Sequence, residues 1–149
     1  MHDLIIIGAG PAGLSAAIYA ARAELDYVLI EENFVNGGQI IDTYEIDNYP
    51  GLPGISGMDL AQKMADHAEK LGAEVVNAAV EGLELDGPVK KVLTDEGTFE
   101  ARAVIIASGA AHSHLGVPGE ESLAGHGVSY CATCDGAFYR GKTTVVVGG

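Results

Sequence analysis

The chain has no tryptophan, three phenylalanines, five prolines and two cysteines among 149 residues, and it carries 8 lysines and arginines against 21 aspartates and glutamates. Each shortage closes a possibility. At a formal net charge of −13, sequence-independent adhesion to a phosphate backbone is unfavourable, so nucleic acid is not an expected partner. No apolar run approaches the ~18–20 residues that a membrane helix requires. Met1 to Asp3 leads into an apolar strand without a basic, h-region or cleavage pattern, so no membrane association is expected and the expected location is cytoplasmic. Cys131 and Cys134 are two residues apart, too close to staple a fold, which leaves them redox-active, metal-binding or incidental.

Apolar residues and glycine are plentiful. A hydrophobic share of 48% with 19% charged residues describes a folded chain able to bury a core, and the length is about that of one average domain. The 21 glycines are roughly twice the usual share and follow no collagen period, so they mark tight turns and close backbone approaches.

Leu4-Ile5-Ile6-Ile7 reads as a parallel strand buried on both faces. Pro11 to Ala23 reads as a helix with proline in its first turn, and Tyr27 to Ile30 as a second strand, which closes a right-handed βαβ unit. Residues 32–57 are irregular. Ser56 and Asp59 form a capping box for a helix through Leu71, with Leu60, Met64, Ala68 and Leu71 on one face, His67 on the polar face and Gly72 as the stop. Glu74 to Glu100 breaks into short strands turned at Asp86-Gly87-Pro88 and Glu96-Gly97, an expected antiparallel meander. Ala103 to Ala107 is expected as another buried strand, Gly116 to Gly127 as a crossing between domains, and Thr143 to Val147 as a fresh strand that meets Gly148-Gly149.

Gly8-Ala9-Gly10-Pro11-Ala12-Gly13 fits G-x-G-x-x-G between a strand and a helix. The first glycine makes the turn, the second lets backbone approach a pyrophosphate, and the third lets helix and strand pack, while the helix N-terminus offers free N–H groups. Glu31, eighteen residues past Gly13, is placed to accept hydrogen bonds from ribose hydroxyls and to repel a 2′-phosphate, which favours FAD or NAD over NADP at this site. Cys131-Ala132-Thr133-Cys134 has the spacing of a redox dithiol, in which one thiol attacks a partner disulfide and the other resolves the mixed disulfide. Asp135-Gly136 beside it implies a turn with a carboxylate available for proton transfer. Zinc is the rival, since His112 and His114 with the two cysteines make a possible Cys₂His₂ set; otherwise the histidines at 112, 114 and 126 read as loop or hinge residues.

With these blocks in place the chain resembles the low-molecular-weight thioredoxin reductases, over nearly its whole length. The carriers are DLIIIGAGPAGLSAAIYAARA at 3–23, GGQI at 37–40, NYPG at 48–51, ASGA at 107–110, LGVPGE at 115–120 and SYCATCDGAFYRGK at 129–142. Many flavoproteins share the first block, and C-A-T-C-D-G after a Gly-Val-Pro-Gly-Glu hinge is the most specific.

The resemblance implies an α/β protein: a Rossmann-like FAD-binding βαβ domain with an antiparallel β-meander, then the start of a second dinucleotide-binding domain. It implies that Gly8, Gly10, Pro11, Ala12 and Gly13 cradle the FAD pyrophosphate and Glu31 binds the adenosine ribose. Gly38, Gln39 and Asn48 match segments approaching the ribityl chain and flavin, Val80 a backbone contact to adenine, and Ser108-Gly109 the turn closing over the cofactor, with Ser108 departing from a frequent threonine. Cys134 would take electrons from the flavin, Cys131 would attack thioredoxin, and Asp135 would protonate the leaving thiolate. The nucleotide domain of such a reductase swings about a hinge, here near Ala110 to Gly119.

Residues 1–111 would then be an FAD-binding domain lacking its returning C-terminal segment, and residues 112–149 the hinge and start of an NADPH-binding domain carrying the C-x-x-C. The expectation is an N-terminal portion of an NADPH-dependent, homodimeric reductase, inactive by itself. A ferredoxin-dependent or small-dithiol flavin oxidoreductase and a non-catalytic dinucleotide- or zinc-binding module are the alternatives.

Overall fold

The computed structural model describes residues 1–148, with the side chains of Thr133 and Cys134 outside the described set. The chain divides into two compact units, Met1–Gly109 and Ala110–Gly149.

In the first unit, β1 (His2–Ile7) runs parallel to β2 (Tyr27–Glu31), with Ile5 opposite Val28 and Ile7 opposite Ile30. The β-branched run is buried because both of its faces are covered. Leu4, Ile6 and Leu29 face two helices, α1 (Pro11–Arg22) and α2 (Gly57–Lys70), while Ile5, Ile7, Val28 and Ile30 pack with Ala78, Val92 and Ala101 on the other side. Helix α1 starts on its proline and buries Leu14 together with Gly13, Ala17 and Ala20, whose small size brings the helix close to the sheet. Helix α2 opens on Ser56, whose Oγ accepts from the Asp59 amide at 3.1 Å and donates to Asp59 Oδ2 at 2.7 Å. This is the anticipated capping box, and Leu60, Ala61, Met64 and Ala68 form the buried stripe.

The sheet order is β3-β2-β1-β6-β5-β4. Two expectations change here. Residues of β3 (Val75–Asn77) do not join an antiparallel meander but extend the parallel sheet beside β2, with Asn77 opposite Glu31. The buried strand expected at Ala103 is instead the second half of one long strand, β6 (Gly97–Ile106), and it is not buried: Ile105 and Ile106 are 40% and 56% exposed. Its first half pairs antiparallel with β5 (Lys90–Thr94), which pairs with β4 (Val80–Glu84), and its second half runs parallel to β1.

The second unit contains a short helix, α3 (Ala132–Asp135), followed by a 3₁₀ turn (Gly136–Tyr139). The strand expected over Thr143 to Val147 does not form: these residues have no regular structure, and Val145 and Val146 are 85% and 86% exposed. A strand exists only where a neighbour completes its ladder, and an apolar run alone does not supply one. Among the described residues no helix is long and apolar enough to cross a membrane.

Candidate functional site

The carboxyl ends of β1, β2 and β6 meet at the glycine loop. The Gly8 amide donates to Ile30 O at 2.8 Å and the Ala107 amide to Ile7 O at 2.8 Å, so the loop leaves the sheet between two parallel neighbours. Gly8 has φ of 101°, and a Cβ there would strike the Ala107 carbonyl. A Cβ on Gly13 would strike the Gly8 carbonyl, so α1 crosses its own strand at a distance only glycine permits. Gly10 is different: a Cβ there would meet nothing nearer than Gly38 Cα at 3.9 Å. Its bare backbone faces the Gly37-Gly38 turn, which is tied to the loop by the Gly37 amide donating to Ala9 O at 2.8 Å.

Helix α1 has no side-chain cap and no acidic residue in its first turn, with Gly10 as N-cap and Pro11 next. Its positive end is therefore left for an external anion. Pro11, Ala12 and Gly13 form that first turn. The arrangement fits a dinucleotide pyrophosphate: bare backbone, a space that a side chain would fill, and uncompensated N–H groups.

Glu31 ends β2 beside this loop. Its Oε2 accepts from the Ala9 amide at 2.7 Å, and its Oε1 accepts from the Asn33 amide and from Asn33 Nδ2, both at 2.9 Å. Burial works to raise the Glu31 carboxyl. The hydrogen bonds from Ala9, from Asn33 and from the Glu32 backbone outweigh it and hold the group below its ordinary value, so it is a carboxylate at neutral pH. The sequence placed Glu31 at the strand end as a ribose acceptor; it did not reveal that the same carboxylate binds the loop itself.

Other expected residues lie on the surrounding segments. Gly38 and Gln39 open a 3₁₀ turn (Gly38–Asp42), and Gly38 stands against Gly10, where a Cβ on it would lie 3.3 Å from Gly10 Cα. Ser108 and Gly109 directly follow the β6 end, and Ser108 Cα lies 3.2 Å from where a Gly8 Cβ would stand. Asn48 is exposed in the loop bridged by Ile46 and Ile55. Val80 begins β4, opposite Thr94. The structure thus gathers Gly8 to Gly13, Glu31, Gly38 and Ser108 at the carboxyl ends of the parallel strands.

In the second unit, Cys131 is disulfide-bonded, and the other cysteine of the chain, Cys134, has its side chain outside the described residues. Ser129 Oγ donates to Asp135 Oδ2 at 2.6 Å and accepts from the Cys131 amide at 3.2 Å, so Asp135 is held beside the cysteine segment. His112 stacks on Tyr130 with ring centroids 3.7 Å apart, and His114 meets the same ring edge-on at 5.4 Å. Among the described residues no group of three histidines, cysteines, aspartates or glutamates is arranged to hold a metal ion.

The residue that sequence reasoning passed over is Glu120. Its side chain is 5% exposed and accepts from the amides of Leu115 at 2.9 Å, Gly116 at 2.7 Å and Val117 at 3.3 Å, and from Tyr130 Oη at 2.8 Å. The Leu115 amide and the Tyr130 hydroxyl, then Gly116 and Val117, lower its carboxyl to about 2 against the opposing effect of burial. The single Tyr130 proton goes to Glu120, leaving His114 Nδ1 as donor in its 3.2 Å contact with Tyr130 Oη. The Gly-Val-Pro-Gly-Glu run contained Glu120, but nothing in its spacing signalled that its carboxylate closes back on the loop.

Comparison with known proteins places this geometry. The family model for pyridine nucleotide-disulphide oxidoreductases matches residues 2–149. A thioredoxin reductase of Mycolicibacterium smegmatis is 53% identical over all of this chain and 48% of its own length. That of Bacillus subtilis is 50% identical over all of this chain and 47% of its own. Among solved structures, Lactococcus lactis thioredoxin reductase superposes with a TM-score of 0.79 at 48% identity, covering 93% of this chain and 46% of that one. The chain spans about half the length of the curated relatives it matches.

Proposed function

Since the chain belongs to the pyridine nucleotide-disulphide oxidoreductase family, we propose that it is the N-terminal portion of an NADPH-dependent thioredoxin-disulfide reductase. The observation that carries the proposal is the disulfide at Cys131 in a C-x-x-C-D segment, in the same chain as a dinucleotide-shaped glycine cradle. FAD, when bound, supplies electron transfer between a nicotinamide and a disulfide. Gly8, Gly10, Pro11, Ala12 and Gly13 would hold its pyrophosphate, Glu31 its adenosine ribose, and Gly38, Gln39, Asn48, Val80, Ser108 and Gly109 its remaining parts. Residues 1–111 form the FAD-binding portion in this reading, and residues 112–149 the hinge and the start of the NADPH-binding portion. A homodimer working in the cytoplasm completes the proposal, on the family resemblance.

The chemistry assigned to the chain's own residues is thiol–disulfide exchange. In the reduced state the Cys131 thiolate attacks one sulfur of the thioredoxin disulfide; the Cys131–thioredoxin bond forms as the substrate S–S bond breaks. The released thiolate takes a proton, with Asp135 as donor. The Cys134 thiol then returns a proton to the Asp135 carboxylate and attacks Cys131, forming the Cys131–Cys134 disulfide and releasing the second substrate sulfur as a thiolate that takes its proton from solvent. One dithiol is oxidised and one disulfide is reduced. A disulfide-bonded Cys131 and histidines packed on Tyr130 support this reading over the zinc module.

The test uses the full-length parent. Cys134→Ser is expected to abolish thioredoxin reduction while FAD stays bound, seen as an unchanged visible flavin spectrum. Loss of flavin in that variant would count against the assigned role.

A further inference from the structure

We infer that Asn33 and Asn77 are positioning residues for the Glu31 carboxylate, forming with the Ala9 amide a clamp that presents it to the adenosine ribose of the dinucleotide. The inference rests on the reading in which Glu31 accepts from that ribose. A glutamate at the end of a strand has three side-chain torsions to lose when it binds a ligand. Here they are lost in advance. Asn33 grips Oε1 twice, through its own amide and through Nδ2, both at 2.9 Å, while the Ala9 amide takes Oε2 at 2.7 Å. The carboxylate is thus pinned from both ends by donors on two different loops, which fixes its plane.

The grip of Asn33 is itself held. Asn77 Nδ2 donates to Asn33 O at 3.0 Å and to Glu31 O at 3.4 Å, from the β3 position directly opposite Glu31. Its neighbour adds the Ala78 amide, donating to Glu31 O at 3.1 Å. The two asparagines therefore join the ends of β2 and β3 to the glycine loop through one carboxylate. An acceptor oriented before binding loses less freedom when a hydroxyl arrives, and the saving reappears as affinity. Asn33 and Asn77 are both exposed, and the side-chain hydrogen bonds they make are those of this network.

The test is a double-mutant cycle in the full-length parent, with FAD affinity read by quenching of flavin fluorescence. Asn33→Ala is expected to weaken FAD binding about tenfold, the loss typical of a hydrogen bond to a charged group. In a Glu31→Ala background the same substitution is expected to change affinity less than twofold, because a residue acting through another has no effect once that other is gone. Asn77→Ala is expected to cost about threefold with the same dependence on Glu31. Thermal melts confirm that each variant is folded. An equal loss in both backgrounds would mean a merely structural role and overturn the inference, as would tighter binding, which would make the amide a competitor of the ribose. If Glu31→Ala weakens binding and Asn33→Ala does not, the inference alone falls. If Glu31→Ala binds FAD as well as the unmodified protein, the ribose reading itself falls.

Discussion

Residues 1–109 bury Ile5, Ile6, Leu14, Leu29, Ile30 and Val92 almost completely, whereas among the described side chains of residues 110–149 only Glu120 is buried. The first region is held by apolar surface removed from water, at about 1.5–3 kcal/mol for each large side chain. The second is organised around one carboxylate that collects three amides and a phenol. Apolar burial is non-directional and indifferent to pH, while a carboxylate clamp is directional and needs its charge. The contrast sets an apolar platform under the glycine cradle against a loop at residues 115–117 that Glu120 ties to Tyr130.

The largest expected effect tests the platform. Gly13→Ala drives a Cβ into the Gly8 carbonyl and is expected to cost about 3 kcal/mol, read as a lowered urea midpoint by circular dichroism. Amide exchange at Leu115 to Val117 should stay as it was; a linked change there would merge the two regions into one cooperative body. Next, Glu120→Gln is expected to expose the amides of Leu115, Gly116 and Val117 to rapid hydrogen exchange while the melting of residues 1–109 is unaltered. Acid should do the same. With its carboxyl lowered from 4.5 to about 2, Glu120 contributes fully above pH 4.5, and the contribution fades as pH falls toward 2. Exchange that is flat across that window would deny the carboxylate its role. The smallest effect is local to the platform: Ser56→Ala removes the cap of α2 and should cost about 1 kcal/mol, a shift in urea midpoint with no change near Glu120.

The same contrast separates what the sequence made legible. The βαβ unit, the close approach at Gly13 and the Ser56–Asp59 cap follow from period, glycine spacing and capping chemistry, which act within a few residues. The continuation of β6 from one partner to another was not legible, and its apolar second half is paired in the sheet yet exposed at Ile105 and Ile106, so an apolar run states neither its partner nor its burial. Thr143 to Val147 shows the converse, a strand-like run with no ladder. Of the site, the glycines and Glu31 were readable from their spacing. Asn33, Asn77 and Glu120 were not, since exposed or turn-region polar residues acquire meaning only when distant backbone reaches them.

The double pairing of β6 also sets a timetable. His2 stands opposite Ala101, while Leu4 finds Tyr27 on its other edge. On a ribosome adding about 5–20 residues each second, the second edge of β1 waits roughly 4–15 s longer than the first for its neighbour to be made. During that interval an isoleucine-rich strand stands half-paired in the nascent chain, open to wrong partners. Helix α1 is synthesised before that wait begins and α2 within it, so both helices that cover β1 exist before the sheet beneath them is closed.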